Sequence, residues 1–156
     1  MGKERVIIGI DPAVSKPVGY GVISGGKLYK SGHFETMTQA LRILALADMV
    51  YIEDQFLKNN PNTLKKLSHS TGKIMGLCEV LSVPYELVSP STWQNRVNLP
   101  GKRPAELSDY RWKKEKAERM VLTAKDITGH EAKNDDEAAG ILIAYSMGVL
   151  ESGKSD

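Results

Sequence analysis

The chain has 156 residues, a formal net charge of +2 at pH 7 and 41% hydrophobic residues. This length allows one domain with a substantial core, and no apolar run approaches the roughly 18 residues of a membrane-spanning helix. The single cysteine, Cys78, excludes an internal disulfide and a cysteine-based zinc cluster, and we expect it to be a small core residue. The first residues carry no signal-peptide pattern, so we expect a soluble cytoplasmic protein with no membrane partner.

Residues 5–34 predict a three-stranded meander. Its first strand runs from Val6 to Asp11 and must end at Pro12, because proline has no N–H group for the ladder. The stretch from Tyr20 to Ile23 predicts the returning strand. Asp11 is therefore held at a strand end, where it either caps a turn or supplies a rigid carboxylate for a metal or phosphate site.

Two further acidic positions repeat this pattern. After a helix predicted over residues 37–47, the apolar stretch Met49 to Ile52 ends in Glu53. The acids Asp135-Asp136-Glu137 open the last predicted helix, where acids are also ordinary partners of the helix dipole. Acids at the ends of neighbouring strands meet at the edge of an open α/β sheet, where ligands bind.

The remaining elements complete an α/β domain with a mixed sheet flanked by helices. We expect this single domain over residues 1–151 and a disordered tail over 152–156. The predicted elements are a long helix over 62–81, a strand at Tyr85–Val88 that ends before Pro90, a loop over 98–109, and helices over 110–125 and 135–150.

Basic residues form two clusters along the chain. A solvated helix face explains either cluster, but basic clusters near three acids also fit a metal-dependent enzyme that acts on a polyphosphate backbone. The first cluster contains Lys102, Arg103, Arg111, Lys113, Lys114, Lys116 and Arg119, and the second contains Lys58, Lys65, Lys66, His69 and Lys73.

Several segments occur in a recognisable order over nearly the whole chain. They are Ile8-Gly9-Ile10-Asp11-Pro12, Gly19-Tyr20-Gly21-Val22-Ile23, Ile52-Glu53-Asp54-Gln55-Phe56, the small-residue stretch 66–73, Ser89-Pro90-Ser91-Thr92-Trp93-Gln94, and acids before an alanine-rich helix. This order resembles the RuvC family of Holliday junction resolvases, in particular its phage-type members. The resemblance implies an RNase H-like mixed sheet flanked by helices. It also implies a structure-selective endodeoxyribonuclease that resolves four-way DNA junctions by symmetric nicking, in a bacterial or phage-infected cell.

The resemblance also implies a site. Two Mg²⁺ ions, with Mn²⁺ as an alternative, would be held by Asp11, Glu53 and Asp136, because hard cations take oxygen ligands. Lys114 matches the catalytic-site lysine of the family. Phe56 matches an aromatic wedge at the junction, and we expect backbone contacts from Lys58, Lys73, Arg111 and Lys113.

The chain departs from the family pattern at one position. The pattern is an acid or histidine, two residues, and an aspartate before an apolar helix, which puts Asp136 first and Ala139 in place of the last carboxylate. This leaves three explanations. Either Glu137 or Asp135 substitutes for the missing carboxylate, or the chain is naturally weak or inactive, or Ala139 is an inactivating substitution. A catalytically silent junction-binding protein is therefore an alternative function.

Two cuts require two sites, which favours a C₂ homodimer, with the helix over 62–81 as the contact. An actin-like or sugar-kinase-type ATP-binding protein is a third alternative, but it needs a second glycine-rich phosphate loop and a longer chain. The preferred cleavage sequence and a branch-migration motor partner are left open by the sequence.

Overall fold

The computed structural model describes residues 4–12, 17–54 and 61–150, with residues 61–68 described by their backbone alone. Phe56, Lys58 and the predicted tail lie outside these residues. The described strands are β1 Val6–Asp11, β2 Val18–Ser24, β3 Lys27–Phe34, β4 Met49–Glu53 and β5 Tyr85–Val88. They form one sheet in the order β3-β2-β1-β4-β5. β2 is antiparallel to β1 and β3, whereas β4 is parallel to β1 and β5, which confirms the predicted mixed sheet.

The helices are α1 Met37–Leu44, α2 Pro61–Leu81, α3 Pro90–Arg96, α4 Asp109–Thr128 and α5 Asp135–Ala144, followed by a π-helical segment, Tyr145–Leu150. The sequence did not predict α3, because Pro90 was interpreted only as the end of β5. Pro90 instead occupies the first helical turn after the N-cap Ser89, whose hydroxyl accepts a hydrogen bond from the Thr92 N–H at 3.3 Å. Among the described helices, none has the length and apolarity of a membrane span.

The two faces of the sheet carry separate apolar clusters. Because side chains alternate along a strand, Ile8 and Ile10 of β1 point to the face covered by α1 and α2. Cys78 of α2 is buried in that layer, as predicted. Ile7 points to the other face, where α3, α4 and α5 supply the cluster.

Glycines let α5 approach the sheet closely. A Cβ atom at Gly9 would collide with the backbone of α5 at Gly140 and Ala144, and one at Gly19 would collide with the Asp136 carbonyl. The backbone of α5 therefore rests directly on β1 and β2, without side chains between them. This contact brings the first turn of α5 to the end of β1, where Asp11 lies.

Candidate active site

A row of residues crosses the sheet at the end of β1. Asp11 pairs with Gly19 on β2, and Gly19 pairs with His33 on β3. On the other side, Ile10 pairs with Ile52, so Glu53 is level with Asp11. Asp11 and Glu53 thus occupy neighbouring positions at one edge of the sheet, as the strand-end pattern predicts.

Asp136 joins these two carboxylates from the first turn of α5. Burial raises the pKa of Asp11 well above its usual range, and the charges of Glu53 and Asp136 and a hydrogen bond with Asp136 raise it further. Asp135 adds a smaller charge effect of the same sign. The carboxylates of the site therefore repel one another, and a bound cation would relieve this repulsion.

Trp93 fixes the second carboxylate. Its ring is fully buried, and its Nε1–H donates a 2.6 Å hydrogen bond to Oε2 of Glu53, which is itself buried. A charge-assisted bond of this length orients the carboxylate and compensates part of the cost of its burial. Trp93 belongs to one of the segments that resemble the RuvC family, but the sequence assigned it no role. Nothing local in the sequence links residues 40 positions apart.

Glu137 faces away from this cluster. Its Oε2 accepts hydrogen bonds from Ser31 Oγ at 2.7 Å and from His130 Nε2 at 2.8 Å, and its Oε1 accepts from the Lys133 N–H at 3.0 Å. Burial alone would raise the pKa of Glu137, but these three donors outweigh it and lower the pKa. This arrangement gives no support to Glu137 as the last carboxylate of the cluster.

Ala139 lies three residues after Asp136, about 60° around an ideal helix. It is only 3% exposed and belongs to the apolar cluster that also contains Trp93. A side chain at this position is therefore buried in the protein interior. The role of position 139 stays a prediction.

A cleft lies between α4 and α5. Ala117 and Val121 of α4 line this cleft together with Asn134 and Asp135. Lys114 precedes Ala117 and Val121 by three and seven residues, so it lies on the same side of α4. Its side chain is exposed, and its role in the site stays a prediction.

The other predicted DNA contacts are divided between the two faces of the sheet. Arg111 and Lys113 are exposed on the first turns of α4. Lys73 is exposed on α2, which packs on the opposite face. Phe56 and Lys58 lie outside the described residues, so the wedge role of Phe56 stays a prediction.

The chemistry of the donors fits a hard divalent cation. Asp11, Glu53 and Asp136 offer only oxygen ligands, which Mg²⁺ and Mn²⁺ prefer. In the part of the chain that is described, however, no group of three or more His, Cys, Asp or Glu side chains has an arrangement that would hold a metal ion. Asp11 is instead hydrogen-bonded to Asp136, and Glu53 to Trp93. The three carboxylates are already close together, but binding a metal ion requires their side chains to change rotamer.

The fold is the RNase H-like fold: a mixed five-stranded sheet flanked by helices. Among solved structures, it matches the RuvC version of that fold. Thermus thermophilus RuvC in complex with a Holliday junction substrate superposes with a TM-score of 0.73 at 18% identity, over 97% of both chains. Another Thermus thermophilus RuvC structure gives a TM-score of 0.71 at 16% identity, over 96% of this chain and 97% of that one. No protein-family model and no curated protein sequence matches the chain.

Proposed function

We propose that the chain is a structure-selective endodeoxyribonuclease that resolves four-way DNA junctions in the cytoplasm by metal-dependent symmetric nicking. The observation that carries this proposal is the convergence of Asp11, Glu53 and Asp136 at one edge of a RuvC-like fold. The raised pKa of Asp11 supports it, because groups with strongly shifted pKa values cluster at functional sites.

The side chains divide the work of phosphodiester hydrolysis. Asp11, Glu53 and Asp136 would hold two ions per site, and the hydrogen bond from Trp93 would limit the orientations of Glu53. Bound Mg²⁺ or Mn²⁺ would activate the attacking water and stabilise the leaving oxygen. Lys114 neutralises the charge that develops on the phosphate.

Other residues hold the DNA. The phosphate backbone is contacted by Arg111, Lys113, Lys73 and Lys58, and Phe56 wedges between bases at the junction.

A homodimer through α2 would supply the two sites that symmetric cuts require. Apart from the neighbouring turns of α2 itself, a Cβ atom at Gly72 or Gly76 would meet no atom of the described residues within 4 Å, and Val80, one turn further along the same side, is 81% exposed. This stripe is open to a partner helix. Because leucine is a better helix former than glycine, Gly72→Leu should leave the monomer stable and separate the dimer. A tight Gly72→Leu dimer in sedimentation equilibrium would contradict this interface.

A catalytically silent junction-binding protein is the second candidate. The observation that favours it is Ala139, an apolar side chain in the apolar layer where the RuvC pattern has an aspartate. This candidate shares the fold and the DNA contacts with the nuclease and differs only in whether the bound junction is cut.

The test compares a mobile four-way junction, a linear duplex and a flap, each with and without Mg²⁺. We expect tighter binding of the junction than of the duplex, and nicks only with Mg²⁺. In an active version such as Ala139→Asp, Asp11→Asn and Glu53→Gln should keep binding and lose cleavage by about 100-fold or more, since metal-held charge stabilisation amounts to several kcal/mol. Glu86→Gln, an exposed carboxylate on β5, is the matched control. Equal binding of all three DNAs would contradict the proposal.

A further inference from the structure

Strand β3 is tied to the first turn of α5 by two long-range hydrogen bonds. Ser31 Oγ donates to Glu137 Oε2 at 2.7 Å, and His33 Nε2 pairs with Asn134 Oδ1 at 3.0 Å. Asn134 Oδ1 also accepts the Glu137 N–H at 3.1 Å, so it acts as an acceptor and His33 Nε2 carries the proton. We call these four residues, Ser31, His33, Asn134 and Glu137, the β3 clamp.

The backbone geometry explains why β3 reaches α5. Ser31 and His33 are two residues apart and therefore lie on the same face of β3. Their partners on the neighbouring strand are Gly21 and Gly19, which have no side chains. Both side chains therefore reach past β2 to the helix that rests on it.

Two residues of the β3 clamp, Asn134 and Glu137, flank Asp136 in the sequence. Asn134 is the N-cap of α5, Asp136 is at its second position and Glu137 at its third. A rotation of the helix start by one residue, about 100°, would turn Asp136 away from Asp11. Glu137 is 5% exposed and takes three donors, which is more than helix capping alone requires.

We infer that the β3 clamp positions the Asp136 carboxylate against Asp11, with Ser31 and Glu137 as positioning residues rather than metal ligands. The catalytic consequence rests on the proposed function, whereas the positioning itself does not. Outer partners of metal ligands typically change metal affinity by about 10- to 100-fold, and we expect an effect of that size here.

The first test is Mn²⁺ binding, measured by isothermal titration calorimetry on the full chain without DNA. Ser31→Ala and Glu137→Gln should weaken Mn²⁺ binding by about 10-fold or more, and Ser31→Thr, which keeps the hydroxyl, should restore it. The matched control is Ser146→Ala, which removes a buried hydroxyl that bonds Ile143 O at 3.3 Å near the opposite end of α5. Equal Mn²⁺ affinity in Ser31→Ala and Ser146→Ala would overturn the inference.

The second test needs no metal, so it separates the inference from the proposed function. A double-mutant cycle of Asp11→Asn and Asp136→Asn, followed by the urea midpoint at pH 8 with chelator, measures the coupling of the two side chains. The coupling should persist in the Ser146→Ala background and fall by half or more in Ser31→Ala. If wild type binds no Mn²⁺, the metal-dependent function fails and this cycle alone decides. Undiminished coupling in Ser31→Ala would then overturn the β3 clamp.

Discussion

The two faces of β1 and β2 are built from different residues. One face carries large apolar side chains, Ile8, Ile10, Tyr20 and Val22, each 0–1% exposed. The other face, which we call the glycine face, carries Gly9, Gly19 and Gly21, and at its end β1 carries Asp11. The first face stabilises the fold by burying apolar surface, whereas the second admits the backbone of α5 and with it Asp136.

One pair of strands thus serves two purposes. Side-chain alternation lets β1 and β2 pack a core on one side and carry a charged site on the other. The glycine face buries little side-chain surface. It lets the N-terminus of α5 approach the end of β1 closely enough for Asp136 and Asp11 to share a hydrogen bond. Substitutions on the two faces should therefore lower the free energy of unfolding by different amounts.

The largest effect should come from adding a methyl group to the glycine face. Gly9→Ala places a Cβ atom against backbone atoms of α5 that cannot turn aside. We expect a loss of about 3 kcal/mol in the free energy of unfolding. Ile10→Val, the next residue and on the apolar face, should lose only about 1 kcal/mol. Urea denaturation measures both, and similar losses would refute the contrast between the faces.

A smaller effect should follow from releasing Glu53. Trp93→Phe keeps the aromatic packing and removes the Nε1–H donor to the buried carboxylate. We expect a loss of about 1–3 kcal/mol, because a buried acceptor is left without that donor. Tyr85→Phe removes the exposed bond from Tyr85 Oη to Glu79 and should change stability by less than about 0.5 kcal/mol. If Trp93→Phe changes stability as little as the control Tyr85→Phe does, Trp93 does not support the site.

The contributions of Asp11 and Glu137 to the pH dependence of stability should be opposite in sign. The folded-state pKa of Asp11 is raised, so the folded protein binds the extra proton and loses stability as pH rises through that raised pKa. The folded-state pKa of Glu137 is lowered, so its contribution is present above the ordinary glutamate pKa and is lost as pH falls through the lowered value.

Urea unfolding with chelator from about pH 2.5 to 9 tests this contrast. Asp11→Asn should flatten the decline at higher pH, and Glu137→Gln should flatten the decline at lower pH. The same slope change in both variants would contradict the assigned burial and hydrogen bonding.

Asp11 and Glu53 were predictable from the sequence because each ends a short apolar run, and Asp136 because it lies among the acids that open the last helix. Proline after Asp11 and the apolar stretch before Glu53 are local signals, and strand ends meet at a sheet edge. The strands and the long helices were predictable for the same reason, since their apolar periodicity is local.

The supporting contacts were not predictable. Trp93 and Glu53 are 40 residues apart, and Ser31 and Glu137 are 106 apart, so only the folded chain brings them together. Helix α3 was missed because one proline both ends a strand and begins a helix, and the hydrogen bond to Ser89 that distinguishes the two requires the structure.

The most direct test of the metal-dependent site is the cleavage of a four-way junction by Ala139→Asp, beside the chain as given. Ala139 is buried among apolar residues, so a new carboxylate there is stable only if a cation accepts it. Single-turnover assays with Mg²⁺ should show poor cleavage by the chain and a gain of two or more orders of magnitude in Ala139→Asp, at nearly unchanged junction affinity. The gain should vanish when Asp11→Asn is added. Efficient cleavage by the chain itself, with no gain from the new aspartate, would contradict this account of the site.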